Sequence, residues 1–182
     1  MIYFASDLHF GHKSILEWES DTRGHYESVE EMNADLIKQW NKTISNEDIV
    51  YYLGDFSFKK KQHEVVEILD QLNFKSAVFI LGNHDHTPFR KTLEKYDNIE
   101  VKYADRIKAE GFIFYLSHFP MVLGERDRLI CLHGHLHSTP SPNPNYQINV
   151  GYDKTKKIAL SMEEVLFFSR QLEKQKRGRE HL

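Results

Sequence analysis

The chain has 182 residues, 40% hydrophobic and 28% charged, a composition that supports a sizeable core and a single globular domain over residues 1–182. A net charge of −3 and a sequence pI near 6.4 exclude a global basic field, so no stable nucleic-acid binding is expected, although a short nucleotide substrate is compatible. The single cysteine, Cys131, excludes an internal disulfide framework, and without a secretory leader or an apolar run of ~20 residues the expectation is a cytoplasmic protein with no membrane contact.

In chain order, Ile2–Ser6 reads as a buried strand running into Asp7-Leu8-His9. A loop over Phe10–Lys13 and a short helix over Ser14–Trp18 follow. The polar stretch from Glu19 to Tyr26, which contains Gly24, reads as an exposed loop at the mouth of a site. Ser28-Val29-Glu30-Glu31 is a capping box, and Met32, Leu36, Ile37, Trp40 and Ile44 then recur at helical spacing, predicting an amphipathic helix that ends near Ser45-Asn46. Strand Ile49–Leu53 runs into Gly54-Asp55, a helix passes through Val65 to Leu72, and strand Ala77–Leu81 runs into Gly82-Asn83-His84-Asp85. Strand, helix, strand predicts parallel pairing with right-handed crossovers.

Thr87-Pro88 supplies an N-cap and an N1 proline for a helix through Phe89, Leu93 and Tyr96. The rhythm then turns to β: Ile99–Tyr103, Arg106–Glu110 and Phe112–Ser117 are short runs, the last two forming a hairpin at Gly111. His118 follows. The run Leu129–His133 continues as an extended stretch to His137, and Ser138–Asn145 is a proline-rich connection. Tyr146–Val150 and Lys157–Leu160 are closing strands. A second capping box at Ser161–Glu164 starts a helix through Val165, Leu166, Phe168 and Leu172, fraying from Lys174 to Arg179.

Asp7, His9, Asp55, Asn83, His118, His135 and His137 all fall at or just after strand ends. A parallel sheet gathers such ends in one crevice. Carboxylate, amide oxygen and imidazole together suit Mn²⁺, Fe or Zn²⁺ better than Ca²⁺ or Mg²⁺. So many ligands exceed the needs of one ion; they suit two ions about 3.5–4 Å apart sharing a carboxylate.

These blocks, Asp-x-His, Gly-Asp, Gly-Asn-His-Asp, a lone His and Gly-His-x-His, resemble the ordered signature of the calcineurin-like metallophosphoesterases from Asp7 to His137. The resemblance implies a four-layer α/β/β/α sandwich with two mixed β-sheets. It implies that Asp7, His9 and His137 hold one metal, Asn83, His118 and His135 a second, and Asp55 bridges. His84 would be the catalytic histidine and a metal-bridging hydroxide the nucleophile. The expected cofactor is two divalent ions, Mn²⁺ first, with Fe, Zn²⁺ or Ni²⁺ as alternatives, and the expected substrate a small phosphodiester. A phosphomonoesterase, or a scaffold or nuclease-complex module of the same fold, is the alternative. Many relatives carry a second aspartate three residues after the bridging one to orient the histidine; Phe58 stands there in this chain.

Around these residues the plainer roles carry weight too. His12 faces the substrate or lies in its loop, with the loop favoured. His133 should point with His135 and His137 by alternation and support the metals from behind. Asp85 or a backbone carbonyl would orient His84. His25, His63 and His86 read as surface residues. Phe10, Phe56, Phe58 and Phe119 include candidates for a stacking wall, and Lys13 and the Lys59–Lys61 run for attracting an anion.

Overall fold

The computed structural model describes residues 1–59 and 61–179; Lys60, from the predicted lysine run, lies outside the described residues. The first sheet is built from β1 (Ile2–Ala5), β2 (Ile49–Leu53), β3 (Ser76–Ile80) and β4 (Ile99–Lys102), all parallel, with β9 (Leu160–Ser161) added antiparallel beside β1, in the order β4-β3-β2-β1-β9. The second holds β5 (Ala104–Ala109), β6 (Phe112–Ser117), β7 (Leu129–His133) and β8 (Gln147–Asn149) in that order. Strands β5 and β6 form the predicted antiparallel hairpin, turning through Glu110 and Gly111, both at positive φ, as a two-residue hairpin turn requires. Strands β6, β7 and β8 run parallel. The expected class, mixed α/β with two mixed sheets, is the one found.

Alternation along the strands of the first sheet serves two cores. Tyr3 and Ala5, Val50 and Tyr52, and Ala77 and Phe79 face one side, where α3 (Val29–Thr43) adds Met32, Leu36 and Trp40, α4 (Gln62–Leu69) adds Val65 and Ile68, and α5 (Thr87–Leu93) adds Phe89 and Leu93. Phe4, Leu53 and Ile80 face the other, meeting Phe112, Phe114 and Leu116 of β6 and Ile130 and Leu132 of β7. Each Val, Leu, Ile, Phe or Met among them, fully buried, contributes about 1.5–3 kcal/mol relative to exposure, so both faces of the central strands are fixed and the strand ends have little freedom. Helix α7 (Met162–Arg179) adds Val165 and Leu166 to the second core. Among the described residues, no helix is long and apolar enough to cross a membrane.

The second capping box forms in full and the first in part, the Glu31 carboxylate accepting from the Glu27 N–H at 2.7 Å rather than from that of Ser28. Ser28 Oγ accepts from the Glu31 N–H at 3.1 Å, and Ser161 Oγ and the Glu164 carboxylate exchange bonds with each other's N–H at 3.2 and 2.8 Å. Three expectations change. The Glu19–Tyr26 stretch is not an exposed loop: after α1 (Ile15–Trp18) it makes a short helix, α2 (Ser20–Arg23), and buries Arg23 and Tyr26. The region between β8 and β9 is shaped by α6 (Tyr152–Thr155), so only Leu160–Ser161 pairs as the last strand. Lys174–Arg179 continues α7 as helix, with Lys176 Nζ donating to Arg126 O at 3.2 Å.

Candidate metal centre

Asp7, His9, Asp55, His135 and His137 all have left-handed backbone, with φ of 59°, 53°, 57°, 68° and 47°. Asp and His tolerate this region better than most residues, yet each instance costs roughly 1 kcal/mol or more. The strain lets chains leaving β1, β2 and β7 double back and present side chains to a common crevice. Backbone bonds tie the turns together: Asp7 N–H donates to Gly54 O at 3.1 Å and Gly134 N–H to His118 O at 3.0 Å. Gly54 itself has φ 92°, and a Cβ there would run into the His118 ring.

The structure brings the predicted ligands into two adjoining groups, Asp7 with His9 and His137, and Asp55 with His118 and His135, the ligand atoms within 4.8 Å of one another in each. Asn83 joins the second group, its Oδ1 2.9 Å from His118 Nε2. One atom of the second group lies close to the first: Asp55 Oδ2 lies 3.3 Å from His118 Nε2, 3.7 Å from His9 Nε2 and 4.0 Å from His84 Nε2. Both ring nitrogens of His9 are buried without any hydrogen-bond partner. Such orphaned groups are costly, and a cation would satisfy Nε2. His118 points the same way, since Nδ1 faces Leu53 O at 2.9 Å while Nε2 faces Asn83 and Asp55. Acceptors on both sides of that ring favour positive charge, met by a proton or by a cation at Nε2; together with the orphaned His9 nitrogens, the set of carboxylates, amide oxygen and imidazoles fits divalent ions.

Titration follows these contacts. Burial pushes the Asp7 carboxyl up to about 6. Burial also acts to raise Asp55, but the hydrogen bond and charge of His118 and the charge of His9 hold it down to about 2. His9 is driven well below the usual imidazole range by burial, and His135 is lowered by burial too. His118 and His137 are raised against the pull of burial, by Asp55 and Asp153 respectively.

Asp85 does not orient His84. Its Oδ2 accepts from the N–H groups of Gly82 and Asp55, both at 2.8 Å, and its Oδ1 from Phe56 N–H at 3.0 Å. It therefore fastens the Gly82 turn to the Asp55 turn, and burial pushes its carboxyl up to about 6 against those donors. His84 is set instead by its N–H on Asp55 Oδ1 at 2.9 Å and by the Phe58 ring, 4.5 Å between centroids. Phe58 thus packs against the histidine where the relatives' second aspartate would bond it.

His12 is buried, its Nδ1 accepting from Ile15 N–H at 3.2 Å and its ring 3.7 Å from that of Phe58. His133 does not point with His135 and His137. The positive-φ turn after β7 ends the alternation, and the His133 ring is engaged with Gly134 O and Ser141 Oγ at 2.8 Å each. Phe10 and Phe56 are fully buried and unavailable for stacking, whereas Phe119 is 50% exposed beside His135. Lys59 Nζ lies 3.6 Å from Glu64; Lys13 is exposed.

Two residues of the site carried no notice in the sequence reading. Arg23, fully buried, bonds Asp7 O, Leu8 O and both oxygens of Asp153. Asp153 in turn holds His137 Nδ1 at 2.8 Å. Asp153 follows a strand end, after Asn149-Val150-Gly151, and the rule that flagged the other blocks applies to it equally.

Two α/β sheets thus gather carboxylates and imidazoles at their strand ends into two candidate metal-binding groups. The chain belongs to the calcineurin-like phosphoesterase family, whose profile matches residues 1–179. It is 40% identical over 120 residues to an uncharacterized protein of Methanocaldococcus jannaschii, covering 65% of this chain and 58% of that protein. It is 31% identical over 184 residues to the gene 66 protein of Mycobacterium phage L5, covering 83% and 86%. In fold it is similar to a protein of unknown function from Aquifex aeolicus, with a TM-score of 0.73 at 23% identity over 92% of this chain and 98% of that one.

Proposed function

We propose that the chain is a dinuclear metal-dependent phosphodiesterase acting on small diesters, nucleotides among them, with Mn²⁺ the preferred ion. The observation that carries this reading is the Asp55 Oδ2 position, shared between the His118 and His9 groups. Asp7, His9 and His137 would hold one ion, Asn83, His118 and His135 the other, and Asp55 both. Bound there, the ions supply Lewis acidity toward the phosphoryl oxygens and an activated water.

The chain's own residues do the rest. His84, half-exposed at the edge of the crevice and excluded from the ligand groups, gives a proton to the leaving oxygen, while its backbone N–H keeps Asp55 turned. The half-buried Phe58 ring and the buried His12 ring wall off the His9 side. Diester preference is supported by the scarcity of cations for a dianion. Of Arg23, Lys13 and Lys59, the first is committed to Asp153 and the last lies against Glu64, which leaves the exposed Lys13. Trp18, 72% exposed beside His12, and Phe119 beside His135 offer rings to an aryl or base substituent. The test compares kcat/KM on bis(p-nitrophenyl) phosphate and p-nitrophenyl phosphate with saturating Mn²⁺, then a cyclic nucleotide and its ring-opened monoester. Higher efficiency on both diesters is expected, and monoester preference in both pairs would reject the diesterase assignment.

A further inference from the structure

Arg23 and Asp153 sit 130 residues apart in sequence and meet in the interior beneath the first ligand group. The Asp153 carboxylate accepts four bonds. Arg23 Nε and Thr22 Oγ1 reach Oδ1, both at 2.7 Å, and Arg23 Nη2 and His137 Nδ1 reach Oδ2 at 2.9 and 2.8 Å. The same guanidinium donates to Leu8 O at 2.8 Å and Asp7 O at 2.6 Å. One planar fork therefore fixes the backbone of the Asp7–His9 turn and, through Asp153, the ring of His137. With Nδ1 committed to Asp153, only Nε2 of His137 is left to face the crevice.

The second group is anchored by other means. His118 Nδ1 is held by Leu53 O, and Asp55 by the N–H of His84, with its own N–H on Asp85. Neither Arg23 nor Asp153 touches it. A buried ion pair adds little net stability by itself, whereas a carboxylate behind a ligating imidazole fixes its tautomer and raises its basicity. We propose that Asp153, locked by Arg23, is a positioning residue that sets cation affinity at the Asp7–His9–His137 group alone.

The inference rests on the two-ion reading above, and the experiment separates them. Mn²⁺ is titrated into the metal-free chain by calorimetry, with His137→Ala marking which binding step belongs to the first group. Asp153→Asn is expected to weaken that step by about 10–100-fold and leave the other unchanged. Because Asn leaves the Arg23 charge without its carboxylate, the double variant Arg23→Gln with Asp153→Asn is run beside it, and the same selective loss is expected. Equal weakening of both steps, or a lower melting temperature in EDTA with both affinities intact, would overturn the inference. A wild-type readout stands independently of folding in the variants. In ¹¹³Cd-loaded, ¹⁵N-labelled protein, His137 should couple to cadmium through Nε2 and retain a slowly exchanging Nδ1–H. Coupling through Nδ1 would overturn the inference even if no variant folds. A wild type that binds no ion at all would overturn the two-ion reading and this inference with it.

Discussion

Replacing Asp85 by Asn keeps the shape of the side chain and removes one acceptor oxygen. In the wild type, Oδ2 serves Gly82 and Asp55 while Oδ1 serves Phe56. The amide would turn its oxygen to the two donors, leaving the Phe56 N–H facing another N–H. A buried donor left unpaired costs about 1–3 kcal/mol, and two bonds weakened from charged to neutral cost about 1 kcal/mol each. The sum is roughly 3–5 kcal/mol. For a chain of this length each kcal/mol shifts the melting temperature by about 2–4 °C, so a drop on the order of 10 °C is expected in EDTA by circular dichroism. Asp85→Ala should fall further. An unchanged melting temperature, combined with the leaving-group dependence expected of a His84 variant, would refute the structural role and return Asp85 to orienting His84.

Removing His84 as His84→Ala should leave metal content intact and lower turnover by about 10²–10⁴-fold, more for alkyl than for nitrophenyl leaving groups; loss of metal, checked by elemental analysis, would contradict this. The Asp7 carboxyl, raised to about 6 by burial, binds a proton in the folded state that the unfolded chain releases near pH 4. The metal-free fold should therefore lose up to about 3 kcal/mol from this group as pH rises from 4 to 6. In urea melts Asp7→Asn should lose only that share of the slope, since the Asp85 carboxyl, also raised to about 6 by burial, keeps its own; an identical slope in both proteins would count against it. Gly54→Ala forces a left-handed alanine into the His118 ring, so it should destabilise the fold and weaken Mn²⁺ binding together; a wild-type melt would show that the turn is not constrained.

The strand ends were legible because two physical signals coincide there: apolar runs short enough to be buried strands, each stopping at residues whose chemistry has no use in a core. That is why Asp7, His9, Asp55, Asn83, His118, His135 and His137 could be gathered from the sequence and are found together. Arg23 was not legible. A four-residue helix in a polar stretch shows no periodicity, and the burial of its guanidinium depends on a partner far along the chain. His133 was misjudged because alternation holds only while the backbone stays extended, and the chain turns at His135 with φ 68°. Phe10 and Phe56 stood next to ligands in sequence, yet they pack against each other in the core with ring centroids 5.1 Å apart. Being adjacent to a ligand does not say which face of the turn a side chain takes.

The most direct test of the central claim is activity as a function of metal equivalents. Chelated, metal-free protein is titrated with Mn²⁺ while hydrolysis of bis(p-nitrophenyl) phosphate is followed, with bound metal measured in parallel. The shared position of Asp55 Oδ2 between His118 and His9 predicts that binding saturates at two ions per chain and that the rate stops rising there. Saturation of both binding and rate at one ion per chain would contradict it.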